Sequence, residues 1–388
     1  MSRLITNTIR SVTGSADNLT LDGSQNVTVE GNLTVDGTTT LTGTVSGLSD
    51  TKSFRNKIVN GAMQISQRHG TSAYAYDSSG KKFTVDRWAL SRSGMTFDVT
   101  ATQSTDAPAG FHNSLKIEAD TTQTPSAAQV GVLTYDIEGQ DIQDFEFGHS
   151  SAKTITVSFW CKVSANAVGD YSLQLMYTKE SDNSGRSVWK KFTPTTSWVR
   201  YTLTFPGTGS ATSDHIKVSD SYTGMYMYFF LCAGSGKLAA ETNTWAAQGD
   251  YRADSGQTNF LDSADNEFYI TGVQMEIGST ATDYEHKTYG QELARCQRYF
   301  YKVDQPNSGG YNYHWLYSTS GDVQRRGDVQ FPTTMRVTPT ATIVGELGNG
   351  AHTITAESAR STRMTTSCNA SNSNQNAFMT SFEASAEL

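Results

Sequence analysis

The chain has 388 residues, 36% hydrophobic and 18% charged, with a formal net charge of −8 and a sequence pI near 5.4. That balance excludes a broad basic face for nucleic acid, and no apolar run reaches the roughly 18 residues that signal a membrane-spanning helix. Thirty-three glycines against seven prolines, with 11% aromatics, favour β-structure with many tight turns.

Residues 1–17 read as a short head that either docks onto a larger assembly or leads into the next segment. Its start, MSRLITNTIRSVTG, lacks the continuous apolar stretch of a secretion signal, so synthesis in a cytoplasm is expected. Residues 18–50 carry one six-residue unit three times, as NLTLDG, NVTVEG and NLTVDG. Leu19 and Leu21, Val27 and Val29, and Leu33 and Val35 alternate with polar residues, the period of a strand with one buried face. Asp-Gly or Glu-Gly closes each unit with a turn. A repeat this thin cannot bury enough surface alone to offset the entropy of ordering it. Other copies of the chain are therefore expected to cover it, in a trimeric β shaft. The triplets beginning at Asn18, Asn26 and Asn32 match the N-glycosylation pattern, but they recur because the structural unit recurs.

Residues 51–284 repeat strand patterns between Gly, Asn, Asp and Ser turns. Ile155, Val157, Phe159, Cys161 and Val163 share one face, as do Val199, Tyr201, Leu203 and Phe205, and Tyr269, Thr271, Val273, Met275 and Ile277 close the series. MYMYFFLC (residues 225–232) is apolar on both faces, as a central strand should be. The expectation is a mainly β protein whose largest part is an antiparallel β-sandwich, a jelly roll. Cys161, Cys232, Cys296 and Cys368 stand far apart and read as buried free thiols. Trp88, Trp160 and Trp198 fall in strand patterns and read as buried in the core or an interface.

Residues 285–300 form the one convincing helix, a connector. Thr288 and Gln291 have capping-box spacing, and Tyr289, Leu293, Cys296 and Phe300 fall on one apolar stripe. Three copies could bundle on an axis. Residues 301–388 return to strands and are expected to form a C-terminal β knob.

Four blocks carry a family resemblance: FRNKIVNGAMQISQRHGTS (54–72), TVDRW (84–88), ITGVQMEIGSTATDYEHKTYGQELARCQRYF (270–300) and FPTTMRVTPT (331–340). In this order they resemble tail fibre proteins of tailed bacteriophages, especially of marine and cyanobacterial phages. The resemblance implies a homotrimeric virion fibre, docked through its N-terminus to tail or baseplate proteins, whose distal part meets the host surface. The part between NGAM and GVQMEIG also resembles β-sandwich carbohydrate-binding modules, with Asp86-Arg87-Trp88 as the D-x-W. Many such modules hold a structural calcium, for which Glu276 or the cluster Asp262, Asp265, Glu267 could serve; no other cofactor is implied.

Enzymatic polysaccharide cleavage would need two carboxylates about 5–10 Å apart across a groove. Asp136, Glu138, Asp141, Asp144 and Glu146 cluster in sequence but read as an acidic solvent face, and no nucleophile elbow, zinc spacing or phosphate loop appears. Sugar binding stacks aromatic faces on C–H surfaces and adds a few placed polar groups. The candidates are Tyr311, Tyr313, Trp315 and Tyr317, one face of a strand, and Trp245 and Tyr251, which lie in a polar, Gly-containing loop. The expected partners are other copies of the chain and host surface polysaccharide, with neither nucleic acid nor membrane insertion. A purely structural fibre or adaptor, a polysaccharide depolymerase and a cellular adhesin are the alternatives.

Overall fold

The computed structural model describes residues 8–10, 17–21, 27–29, 54–76, 80–209, 214–218, 222–246, 250–304, 314–318, 325–348, 352–370 and 375–388. The chain divides into two compact units, Met1–Thr51 and Lys52–Leu388. In the first, β1 (Thr8–Arg10), β2 (Asp17–Leu21) and β3 (Val27–Val29) make one antiparallel sheet in that order. Leu19 opposes Val29 and Leu21 opposes Val27, so the first two repeats pair with each other. Ile9, in the expected head, opposes Leu19. The third repeat lies outside the described residues.

The second unit opens with β4 (Tyr74–Tyr76), β5 (Lys82–Phe83), β6 (Trp88–Ser93), β7 (Val99–Ser104), β8 (Ser114–Ala119), β9 (Val130–Glu138) and β10 (Ile155–Val163). It continues with β11 (Tyr171–Thr178), β12 (Gly185–Phe192), β13 (Val199–Phe205), β14 (Thr223–Ala233), β15 (Leu238–Ala239), β16 (Ala253–Asp254) and β17 (Glu267–Ile277). Two six-stranded antiparallel sheets result, β13-β10-β17-β8-β7-β4 and β12-β11-β14-β9-β6-β5, and their inner faces share one core. The protein is thus mainly β, with an antiparallel sandwich as its largest part. β10 and β14 hold as expected: Ile155 to Val163 bury every second side chain inward, and β14, buried on both faces, sits centrally between β11 and β9. β13 is an edge, so its pattern is only half realised: Phe205 is buried but Val199 is exposed.

The expectation for β17 needs correcting. Ile270, Val273 and Met275 enter the core, whereas Tyr269 and Thr271 face outward. Gly272, at φ +62°, adds a residue opposite β10 and switches the alternation, the effect of a β-bulge. A Cβ there would come 2.6 Å from Phe111, so glycine suits both the backbone and the space. The tryptophans divide accordingly. Trp88 is fully buried, while Trp160 and Trp198 are half-buried on or beside the outer face of this sheet.

Helix α1 (Tyr289–Gln297) carries the expected capping box, with both the Thr288 and the Gln291 bonds formed. Of the expected stripe, Cys296 and Phe300 are buried and Leu293 packs against the core, while Tyr289 stays exposed. Glu292 and Tyr299 are buried as well, and the Glu292 carboxylate accepts the buried Asn60 N–H.

Three of the four sequence blocks that carry the family resemblance, 54–72, 84–88 and 270–300, meet at this joint. Asn60, itself at φ +58°, holds Ile65 through both backbone groups (2.8 and 2.9 Å) and the Asp86 carbonyl at 2.9 Å. The Trp88 indole donates to the Asn60 carbonyl at 3.1 Å, and the Val273 N–H to Gly61 at 2.9 Å. These residues build the fold, with the buried polar groups of Asn60 satisfied within its own block and by the other two.

The chain ends in β18 (Phe300–Asp304), β19 (His314–Ser318), β20 (Arg325–Gln330), β21 (Thr340–Gly348), β22 (His352–Arg360), β23 (Arg363–Ala370) and β24 (Gln375–Ser385). β24 pairs with β18, β19 and β21, and β23 lies between β20 and β22 around a second core that includes Met364, Met379 and Phe382. This part is tied to the sandwich by Glu387, whose carboxylate reaches Arg68 and Arg87. All four cysteines are buried and free. No helix among the described residues is long and apolar enough to cross a membrane.

Candidate functional site

The outer face of the β12-β11-β14-β9 sheet is apolar, with Val130, Val132, Tyr228 and Phe230 all buried. Its cover comes from residues 234–246 and 250–257, which hold β15 and β16. Gln174 donates to the Asp250 carbonyl at 2.7 Å, the Asp254 N–H reaches Ser172 Oγ at 2.8 Å, and Gln257 donates to the Phe230 carbonyl at 3.1 Å. Trp189, on β12, donates from its indole to the Ala239 and Ala240 carbonyls. Tyr251 belongs to this cover. Its ring stands edge-on to Tyr228 at 5.0 Å and to Phe230 at 6.2 Å, and burial pushes its phenol pKa up. Packing thus accounts for much of the surface of one candidate residue.

Trp245, in the same segment, is placed differently. Ala246 exchanges two backbone bonds with Ser187 (2.7 and 3.2 Å), which fastens the loop to β12. The Trp245 indole donates to the Pro206 carbonyl at 2.8 Å, and its ring is T-shaped against Phe147 at 5.2 Å and Tyr177 at 5.1 Å. Three contacts fix a half-buried ring in the wall of a cleft of about 600 Å³. Arg186, Thr208, Asp214 and Asn243 share that wall. Arg186 Nη2 lies 2.6 Å from Asp214 Oδ2, Lys190 holds Asn243 Oδ1 at 2.6 Å, and Thr208 Oγ1 accepts the Gly148 N–H at 2.6 Å. A rigid aromatic face beside a few anchored polar groups can stack on a sugar ring and bond its hydroxyls.

Among the other candidates, Trp315 and Tyr317 lie in β19 opposite Phe378 and Asn376 of β24. Tyr311 and Tyr313 lie outside the described residues. Sequence reasoning missed Arg186, Thr208 and Asp214, which come from separate segments with no shared spacing. Only Asn243 had a signal, its nearness to Trp245.

The acidic stretch is not uniformly a solvent face. Asp136 and Glu138 are buried, because Lys81 reaches Asp136 at 2.6 Å and Arg298 grips Glu138 at 3.0 and 3.2 Å. Burial opposes the charge of Glu138, but bonds from Arg298, Tyr299 and Gln140 hold its carboxyl below the ordinary value. Asp141 and Asp144 are exposed as expected. The calcium candidates do not fit a metal. Glu276 accepts Thr282 N–H at 2.9 Å, Thr282 Oγ1–H at 2.7 Å and Gln274 at 2.8 Å. Glu267 is paired with Lys116 at 2.5 Å, and Asp262 accepts Asn266 at 2.9 Å. No cluster of three His, Cys, Asp or Glu that could hold a metal occurs among the described residues.

Fold and cleft together define a β-sandwich protein with a polar-rimmed aromatic cleft. No protein-family model matches the chain, and no curated protein does. Solved structures do show a likeness. The enzymatically active domain of tailspike protein 4 of bacteriophage CBA120 matches at 13% identity and a TM-score of 0.30, over 57% of this chain but only 21% of that one. The family 11 carbohydrate-binding module of a cellulosomal cellulase of Clostridium thermocellum matches at 11% identity and 0.29, over 53% of this chain and 98% of that one. A CBM22-1 xylan-binding domain from Paenibacillus barcinonensis matches at 10% identity and 0.26, over 55% and 98%.

Proposed function

We propose that this chain is a homotrimeric bacteriophage tail fibre, a virion component that binds glycan on the host bacterial surface. Its N-terminal part docks to tail or baseplate proteins, and the β repeats associate with those of other copies. The observation that carries glycan binding is the Trp245 cleft, where an indole held by Pro206, Phe147 and Tyr177 adjoins Arg186, Asp214 and Asn243. A ring already ordered before the ligand arrives loses little entropy on stacking. Weak contacts repeated on three subunits and several fibres supply avidity that one site lacks. We read the protein as a binder and not an enzyme; reducing sugar released from host polysaccharide would overturn that part.

The test is a glycan array with the full chain, followed by titration of the best ligand. Trp245→Ala is expected to weaken binding by roughly tenfold to a hundredfold, the scale of a buried aromatic anchor at about 1.4–2.7 kcal/mol. Unchanged binding in Trp245→Ala together with loss in Trp315→Ala would move the contact to the C-terminal sheets. A trimer that binds no glycan and blocks no infection would favour a structural fibre instead.

A further inference from the structure

The Trp245 cleft is built so that its charges cancel. Among the described residues its lining holds one cation, Arg186, and one anion, Asp214, and Arg186 Nη2 lies 2.6 Å from Asp214 Oδ2. We infer that this cleft takes an uncharged glycan, with one ring stacked on Trp245 and one of its oxygens bonded by the Asn243 amide N–H. That the ligand is a glycan rests on the reading above.

The matched charges argue against an acidic sugar. To reach the Arg186 charge, a uronate or sulfate would have to displace Asp214, which is only 9% exposed. Arg186 Nε is buried, so no ligand reaches it. Lys179 stands 3.9 Å from Asp214 Oδ1, outside the lining, and is paired with Asp182 at 3.1 Å. Lys190 is outside the lining too and donates to Asn243 Oδ1 at 2.6 Å. An acidic ligand would therefore lose its hydration beside the Asp214 carboxylate with no unmatched cation in the lining to offset that cost. An uncharged ligand exchanges hydrogen bonds with water for hydrogen bonds with protein and desolvates no charge.

The polar contact is a donor. Lys190 Nζ carries only N–H groups, so the Asn243 atom facing it is the carbonyl oxygen. The amide nitrogen is then what Asn243 brings to the lining. The turn that carries it is fixed on both sides: Thr242 Oγ1 accepts the Thr244 N–H at 3.1 Å, and Ala246 is bonded to Ser187. A fixed amide donor beside an indole face suits a ring whose C–H groups stack while a hydroxyl or acetal oxygen accepts. The volume of about 600 Å³ holds roughly two or three such rings. Gly209, also in the lining, offers a way to close the cleft. Its φ lies outside the left-handed region and an added Cβ meets no heavy atom within 4 Å, so a side chain there enters open space without strain.

The experiment is a glycan array that sets neutral oligosaccharides beside their uronate and sulfated counterparts, probed with the full chain and followed by titration of the strongest hit. Neutral members are expected to bind at least tenfold more tightly than their acidic counterparts. Their affinity should change less than twofold between about 50 and 500 mM NaCl, since no ion pair forms for salt to screen. Gly209→Trp, which fills the cleft, should lose at least tenfold. Asn243→Asp is the sharper variant, because it keeps the Lys190 contact and removes the N–H; a loss of about threefold to tenfold is expected. Affinity within twofold of the unmodified chain in Asn243→Asp would overturn the donor role and with it the inference. Hits confined to acidic glycans and lost in Trp245→Ala, or affinity that falls tenfold in the higher salt, would overturn it while leaving the glycan reading standing. An array with no hit would remove the glycan reading itself. Neutral binding that survives both Trp245→Ala and Gly209→Trp would remove the cleft from that reading, and this inference with it.

Discussion

Arg87→Ala is expected to destabilise the second unit by about 3–5 kcal/mol, the cost of leaving a buried charge without its partner. The Arg87 side chain is 1% exposed and Glu387, its ion-pair partner, 5%. Arg87 Nη2 also donates to the Asp136 carbonyl at 2.6 Å, and the guanidinium lies 3.6 Å from the Tyr299 ring and 5.2 Å from Tyr135. Burial works against its charge, yet the Glu387 carboxylate, Tyr135 and Tyr299 together outweigh burial and push the pKa above its ordinary value. The backbone supports the same reading. Arg87 sits at φ +72°, where a side chain costs roughly 1–2 kcal/mol, so its contacts must outweigh that strain. Truncation would strand Glu387 with Arg68 alone, at 3.1 Å. Because Glu387 follows β24, the C-terminal sheets should loosen first, seen as early protease cleavage there as well as a lower denaturation midpoint. The double change Arg87→Met with Glu387→Met should recover much of the loss, since apolar pairs often replace buried ion pairs at little cost. A loss below about 1 kcal/mol in Arg87→Ala would mean that solvent reaches Glu387 after all.

That clamp was invisible in the sequence, because its members lie 300 residues apart. Strand faces are local, so alternation in β10 and the apolar run of β14 could be read directly. β17 could not, because its register depends on one glycine whose bulge is visible only against β10. The two residues chosen from the polar loop, Trp245 and Tyr251, looked alike in sequence. They separate in the structure because the outer face of β14 is apolar, and Tyr251 is what covers Tyr228 and Phe230. A strand apolar on both faces already implied such a cover, but not which segment supplies it. The polar partners of Trp245 come from segments around 186, 208 and 214 and have no common spacing. The family-like blocks were legible as blocks; three of them converge on Asn60, where they satisfy one another's buried polar groups, and none lines the Trp245 cleft.

Asp86→Asn is expected to remove a pH-dependent loss of stability of roughly 3 kcal/mol. Asp86 is 1% exposed; burial raises its carboxyl pKa from 3.8 to about 6, against the pull of Arg68 and of the two Gln67 hydrogen bonds. The sign depends on which state holds the proton longer. Between about pH 4 and 6 the unfolded chain has already released it while the folded chain still binds it, so stability falls as pH rises through that window. Above about 6 both states are ionised, and the loss persists as the cost of a buried carboxylate. Asparagine cannot ionise, so this fall disappears. Its amide faces the Gln67 side-chain N–H that the carboxylate accepted, which lowers stability by a constant amount at every pH. The readout is therefore the difference between the two proteins and not either melting curve alone, and carboxylates such as Glu138 and Glu285, whose lowered pKa values act in the opposite direction, cancel in it. Melting temperature plotted from pH 4 to 7 should show the variant gaining on the unmodified chain up to about pH 6 and then running parallel. Curves parallel over the whole range would show that Asp86 is ionised in the fold at no cost, with Arg68 and Gln67 compensating its burial in full.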